Sequence, residues 1–232
     1  MSERRDELAA NLTAVRRRIA AARDEAGRSD EVSLVVVTKF FPASDVRLLA
    51  ELGVTDVGEN RHQEAEAKAA ECADLGLRWH FIGGLQSNKA AAVASYADVV
   101  ESVDRAKLVG PLSRGAHSRG DEVDVLLQVS LDPPGADHRS GADPGDLDEL
   151  ARRVEEAGML RLRGLMAVAP LDEEPLDAFA RLASIHADLL AEHPGATTLS
   201  AGMSGDLEAA IRHGATHVRV GSAVLGERPR VQ

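Results

Sequence analysis

Val32-Ser-Leu-Val-Val-Val-Thr-Lys-Phe-Phe-Pro42 is the stretch on which the fold turns. A β-branched run of this kind suits a strand buried on both faces, as the strands of a parallel sheet are. Pro42 and Ala43 then lead into a helix through Leu48, Leu49 and Leu52, which stops at Gly53. The same unit recurs down the chain. Further strands are predicted at Asp56–Gly58, Trp79–Ile82, Asp98–Val103, Val123–Leu131, Leu162–Ala167, Thr198–Ser200 and His217–Val220. Helices separate them, for example Gln63–Cys72 and Leu176–Leu190, where Leu176, Phe179, Leu182, Ile185 and Leu189 share one face. With the first strand this makes eight, in strict alternation with helices. Alternation means a parallel sheet covered on both sides, and a count of eight favours a closed (β/α)8 TIM barrel. The very short strands at Asp56 and Thr198 keep an open sheet of fewer strands as the alternative. Upstream, Leu8, Leu12, Val15 and Ile19 recur at helical spacing and predict an extra N-terminal helix. No break in composition divides residues 1–232, so one domain is expected. The loop Asp132–Gly145 is longer than usual for a βα connection and reads either as a lid or as an excursion.

Composition narrows the function classes. Aromatics make up 3% of the chain, so the core must be built from Ala, Val, Leu and Ile. The formal net charge of −11 argues against nucleic acid and against an anionic membrane as partner, though not against a local pocket for one phosphate. The opening MSERRDELAANL has no apolar signal-peptide core, and no run approaches the roughly 20 apolar residues that span a bilayer. Cys72 is the only cysteine, so no intramolecular disulfide can form. The expectation is a soluble cytoplasmic protein, with a monomer as the oligomeric state.

In such barrels functional residues gather at the carboxyl ends of the strands. The first strand ends in Thr38-Lys39, the second in Gly58-Glu-Asn60, the third in His80-Phe-Ile-Gly83 and the sixth near Met166. The seventh ends in Ser200-Ala-Gly-Met-Ser-Gly205 and the eighth in Arg219-Val-Gly-Ser222. Lys39 shares strand parity with Val35 and Val37, so it points inward if they do. Burial lowers an amine's pKa toward the free base that attacks an aldehyde; the alternative is a lysine that snorkels to water. Ser200–Asp206 precedes a helix, and Gly221-Ser222 follows the eighth strand. Loops seven and eight of a barrel recurrently hold phosphate; the alternative makes Ser204 an N-cap and the glycines turn residues. His213 and His217 straddle a helix end and a strand start, a poor metal face, and no metal site is predicted.

Several segments together carry a resemblance: Val35-Val-Val-Thr-Lys39, Gly58-Glu-Asn60 with Gln63-Glu64, Trp79-His-Phe-Ile-Gly83 with Leu85-Gln-Ser-Asn-Lys89, Leu162-Arg-Gly-Leu-Met-Ala167, and Ser200 through Gly226. In this order they resemble the YggS/PROSC family, the pyridoxal phosphate homeostasis proteins. The resemblance implies a single barrel like the N-terminal domain of alanine racemase, with pyridoxal 5′-phosphate (PLP) held as a Schiff base on Lys39. It also implies that Ser200, Gly202, Ser204, Gly221 and Ser222 surround the phosphate, that Arg219 faces the pyridine nitrogen and that Asn60 lies near the ring. His80 and Met166 would line the pocket. Gly84 stands where the family usually has Pro, and Gly205 where an acidic residue is common. His138-Arg-Ser-Gly141 replaces a lysine-containing version of the long loop.

A cationic Arg219 at the ring nitrogen would keep that nitrogen unprotonated and weaken the ring as an electron sink. A racemase of this lineage takes a second base from a tyrosine on an added β domain. After Arg228 there is no room for such a domain, and Tyr96, the sole tyrosine, precedes the fourth strand. The expected function is therefore PLP binding and homeostasis without turnover, with PLP-dependent apo-enzymes as acceptors. The alternatives are a fold-type III PLP enzyme of racemase type acting on small amino acids, and a barrel for a phosphorylated metabolite without an aldehyde.

Overall fold

A computed structural model describes residues 2–132 and 140–227. Helix α1 (Ser2–Glu25) comes first, followed by β1 (Ser33–Val37), α2 (Ala43–Glu51), β2 (Asp56–Glu59), α3 (His62–Glu71) and β3 (Arg78–Phe81). The middle of the chain supplies α4 (Ser87–Ala94), β4 (Val99–Val103), α5 (Val109–Arg119), β5 (Val123–Gln128), α6 (Leu147–Glu156) and β6 (Leu160–Met166). The chain continues with α7 (Pro175–Glu192), β7 (Thr198–Ser200), α8 (Leu207–Arg212), β8 (His217–Val220) and α9 (Ser222–Leu225). The strands close in sequence order into a barrel, and β8 pairs parallel with β1 from Ser33↔His217 to Val36↔Val220. The open-sheet alternative is thereby set aside.

Strand alternation divides the side chains between two layers. Val36, Val57, Trp79, Val218 and Val220 face outward and pack with Val46 and Leu49 of α2 and Leu207 and Ile211 of α8. A second apolar cluster joins β4, β5 and β6 to α4, α5, α6 and α7 through residues such as Val100, Val125, Leu112, Leu150 and Phe179. Burying each Val or Leu of these layers is worth roughly 1.5–3 kcal/mol. The inward positions differ from an ordinary barrel interior, which branched apolar residues fill. Here buried His80, Glu101, Ser200 and Arg219 share that space with Leu126 and Met166.

Helix α1 runs well beyond its predicted Leu8–Ile19 seed. Leu8, Leu12, Val15, Ile19 and Ala22 are all buried, a stripe at alternating spacings of four and three that continues to the helix end. Arg4 and Asn11 cap the carboxyl end of α9 by donating to Leu225 O and Val224 O. Strand β5 ends at Gln128 rather than at Leu131. Beyond Gln128 the chain pairs with the returning loop: Ser130 N donates to Ala142 O, and Ala142 N to Gln128 O. The loop re-enters helix α6 through a short turn at Pro144–Asp146, capped by Asp143. Half of the Asp132–Gly145 stretch read as a lid, residues 133–139, lies outside the described residues.

Candidate functional site

Lys39 follows β1 inside a tight turn. Phe41 N donates to Thr38 O at 3.1 Å, so Lys39 and Phe40 are the turn's two central residues. Phe40 has φ 71°, a left-handed conformation that a bulky side chain adopts at a cost of about 1–2 kcal/mol. The surroundings hold it there. Phe40 N donates to Glu64 Oε1 at 2.6 Å, and the Arg61 guanidinium lies over the Phe40 ring at 5.0 Å from its centroid. Beneath the turn, the buried Lys68 ammonium donates to Thr38 O at 2.8 Å, Glu59 Oε1 at 2.7 Å and Glu64 Oε1 at 2.8 Å. All three of its N–H bonds are thereby used. Thr38 Oγ1 also donates to Glu59 Oε1, at 2.6 Å. Burial pushes the Glu59 carboxyl above its usual range, against the opposing pull of Lys68 and Thr38. The result is a clamp between β1, β2 and α3 that fixes the backbone from which Lys39 springs.

Lys39 opens onto a cleft of about 260 Å³ at the carboxyl end of the barrel. Val37 and Lys39 form one wall, in keeping with their shared parity, with Phe41 and Ile82 beside them. Ser204, Gly205, Gly221 and Ser222 line it as well, with Gly221 alongside Val37, since a Cβ on Gly221 would lie 3.2 Å from Val37 O, and the buried Arg219 lies at its floor. Loops seven and eight meet there: Ser222 Oγ donates to Ser204 Oγ at 3.3 Å, and Ala223 N to the same oxygen at 3.4 Å. Helix α1 supports these loops from outside. Arg18 donates to Ser204 O at 3.0 Å and forks onto both carboxylate oxygens of Glu208, at 2.7 and 2.9 Å. Gly202 sits under the loop with φ 89°, and a Cβ there would lie 2.7 Å from Ala210 Cβ, so only glycine lets the loop rest on α8.

At the floor, Arg219 Nη1 donates to Ser200 Oγ at 2.7 Å and Nη2 to Ala167 O at 2.9 Å. Ser200 Oγ donates in turn to Glu101 Oε2 at 2.6 Å. Burial draws the Arg219 pKa below its usual value, while Glu101 and Asp206 oppose that shift.

Of the residues singled out from sequence, Lys39, Ser204, Arg219, Gly221 and Ser222 come together around the cleft. Asn60, His80, Met166, Ser200 and Gly202 do not line it, and each has a physical reason. His80 is turned down the barrel axis, its ring nitrogens 2.7 Å from Glu101 Oε1 and 2.9 Å from Asp56 Oδ1. Ser200 is fully buried and engaged by Arg219 and Glu101. Met166 is buried in the interior opposite Ser200. Asn60 packs so closely on the β3 end that a Cβ on Gly83 would lie 2.1 Å from Asn60 O. Ile82 and Met203 line the cleft without having been anticipated, and so does Gly226. Glu101 and the Glu59–Lys68–Glu64 clamp were also missed. A charged residue inside Val99-Val-Glu-Ser-Val103, and the Glu64/Lys68 spacing of four on α3, were the available signals. Tyr96 stacks on His62 with ring centroids 5.9 Å apart, away from the cleft. Among the described residues no cluster of His, Cys, Asp and Glu could hold a metal ion, and no helix is long and apolar enough to cross a membrane.

Residues 10–229 match the family model described as alanine racemase, N-terminal domain. A pyridoxal phosphate homeostasis protein from Mycobacterium tuberculosis is 46% identical, with 97% of this chain and 95% of the relative covered. The structure of PipY from Synechococcus elongatus with PLP bound superposes with a TM-score of 0.81 at 36% identity, covering 94% of this chain and all of PipY, 100%. Alanine racemase from Clostridium difficile shares the fold at a TM-score of 0.70 and 16% identity, with 97% of this chain but 57% of the racemase covered.

Proposed function

The chain belongs to the alanine racemase N-terminal-domain family, among the pyridoxal phosphate homeostasis proteins, and from that premise we propose that its cleft binds PLP and serves PLP homeostasis. Lys39 holds the cofactor as a Schiff base, Ser204, Ser222 and the Gly221 backbone take its phosphate, and Arg219 faces the pyridine nitrogen. PLP supplies an aldehyde that condenses with an amine and a ring that withdraws electrons. The observation that carries the reading is the joint arrangement of one amine, two adjacent serine hydroxyls and a buried guanidinium around a cleft of about 260 Å³. That volume lies just under the roughly 300–1,000 Å³ of pockets for drug-sized ligands, a scale that fits a single phosphorylated ring. A phosphorylated metabolite without an aldehyde would leave unexplained why the chain clamps a strained turn beneath Lys39.

Homeostasis rather than turnover follows from the groups the cleft offers. Arg219 opposes protonation of the ring nitrogen, and protonation is what makes the ring a strong sink for carbanion charge. Lys39 is the one side-chain amine on the cleft wall, and the sole tyrosine lies elsewhere. The protein therefore holds PLP without turning it over, and release to PLP-dependent apo-enzymes, a cytoplasmic location and a monomeric state belong to the same proposal. Exchange of the α-hydrogen of alanine and serine in heavy water, followed by proton NMR against a free-PLP control, tests this. Exchange at the free-PLP rate supports a carrier. A rate near one per second, the low end of typical enzymes, would replace the carrier with a fold-type III enzyme.

A further inference from the structure

Below the cleft floor, ionisable side chains of alternating type run down the inside of the barrel. Arg219 on β8 reaches Glu101 on β4 through the Ser200 hydroxyl on β7, which accepts from the guanidinium and donates to the carboxylate. The other oxygen of Glu101 faces His80 Nδ1 at 2.7 Å, and His80 Nε2 faces Asp56 Oδ1 on β2 at 2.9 Å. Thr55 Oγ1 then donates to the second oxygen of Asp56 at 2.6 Å. A neutral imidazole has one N–H and one lone pair, so it could satisfy only one of the two carboxylates; an imidazolium satisfies both. The chain thus reads Asp56 negative, His80 positive, Glu101 negative, Arg219 positive.

We propose that His80 and Glu101 are positioning residues for Arg219, fixing both the plane of its guanidinium and the net charge felt at the cleft floor. This rests on the PLP reading, with Arg219 as the group facing the ring. Two of the guanidinium nitrogens are tied to Ser200 Oγ and Ala167 O, which orients the group. Were Glu101 unbalanced, its carboxylate, 3.7 Å from Arg219 Nη1, would neutralise the cation that the ring is to meet. His80 balances it from below, so Arg219 keeps its charge. Other titratable groups face the chain from neighbouring elements: His217 on β8, whose imidazole burial pushes below its usual range, Arg78 on β3, and Asp206 before α8. The directions of titration agree. Burial would lower His80, yet its bonds to Asp56 and Glu101 leave it raised. Burial would raise Glu101, yet His80 first and Arg219 after it hold it down to about 2.

Two measurements test this. In cofactor-free protein at pH 7, the ¹⁵N shifts of His80 should be those of an imidazolium protonated on both nitrogens; a neutral ring would overturn the proposal. In the PLP-loaded protein, the pH midpoint of the long-wavelength absorbance band reads the field at Lys39. Glu101→Gln removes a negative charge and should move that midpoint down, and His80→Gln removes a positive one and should move it up. Each shift should be about half a unit or more. General loosening of the cleft would move both variants the same way, and that result would overturn the proposal. If either variant failed to fold, the nitrogen spectra of the wild-type protein would still decide it. If the wild-type chain took up no PLP, the functional reading would fall while the cofactor-free spectra still decided the charge chain.

Discussion

Replacing Lys68 by methionine keeps most of the volume beneath the Lys39 turn and removes one charge. It deletes the donors to Thr38 O, Glu59 Oε1 and Glu64 Oε1 together. Glu59, only 1% exposed and with Oε2 already lacking a partner, would then be a buried carboxylate with no cation against it. Breaking a buried ion pair from one side costs about 3–5 kcal/mol. At roughly 2–4 °C per kcal/mol for a domain of this size, Lys68→Met should lower Tm by about 6–20 °C at pH 7. The loss should shrink in acid. Glu59 titrates above its usual range in the folded state, and more so without Lys68, so its uptake of a proton as pH falls through that raised value relieves the variant. Adding Glu59→Gln should recover part of the loss, because the stranded charge goes with it. Thermal unfolding by circular dichroism at pH 5 and pH 7 measures all of this. A drop under about 2 °C at pH 7, which is less than one kcal/mol on the same scale, or a double variant no better than the single one, would refute the clamp.

Three further outcomes are expected. Ser204→Ala and Ser222→Ala should each weaken PLP about tenfold or more while leaving pyridoxal nearly unchanged, the loss of one charge-assisted hydrogen bond; parallel titrations of the two vitamers check it, and equal losses would remove these serines from the phosphate. Arg18→Ala should weaken PLP without touching the cleft, since Arg18 holds Ser204 O and Glu208; an unchanged Kd in the same titration would make that contact merely structural. Glu101 is held down to about 2 in the folded protein, against 4.5 for an unperturbed glutamate, so its stabilisation is present above pH 4.5 and lost as pH falls toward 2. The acid limb of wild-type stability should therefore be steeper than that of Glu101→Gln by about 3 kcal/mol across that window, measured by urea unfolding at several pH values.

Much of the barrel was legible because parallel strands announce themselves by β-branched runs such as Leu34–Val37, and their spacing forced the alternation. The ends were less legible. Gln128 closes β5 because the chain beyond it pairs with Ala142, a contact across the long loop that no local pattern encodes. Residues at strand ends could be found by position, as Lys39, Ser204 and Ser222 were. Depth within the barrel could not. His80 and Ser200 occupy strand-end positions in sequence, yet the register sets their side chains one layer below the cleft. Likewise, the clamp under Lys39 depends on α3 packing back beneath the β1 end, a contact between Lys68 and the Thr38 carbonyl that helical spacing alone does not encode.

The central claim is that the cleft amine at Lys39 carries the cofactor. The chain's lysines are Lys39, Lys68, Lys89 and Lys107, so borohydride reduction of the PLP-loaded protein, digestion and peptide mass mapping can distinguish every one. The account predicts a single stoichiometric pyridoxyl adduct on Lys39, absent from Lys39→Ala. An adduct on Lys68, Lys89 or Lys107, or none on Lys39 in protein that binds PLP tightly, would contradict it.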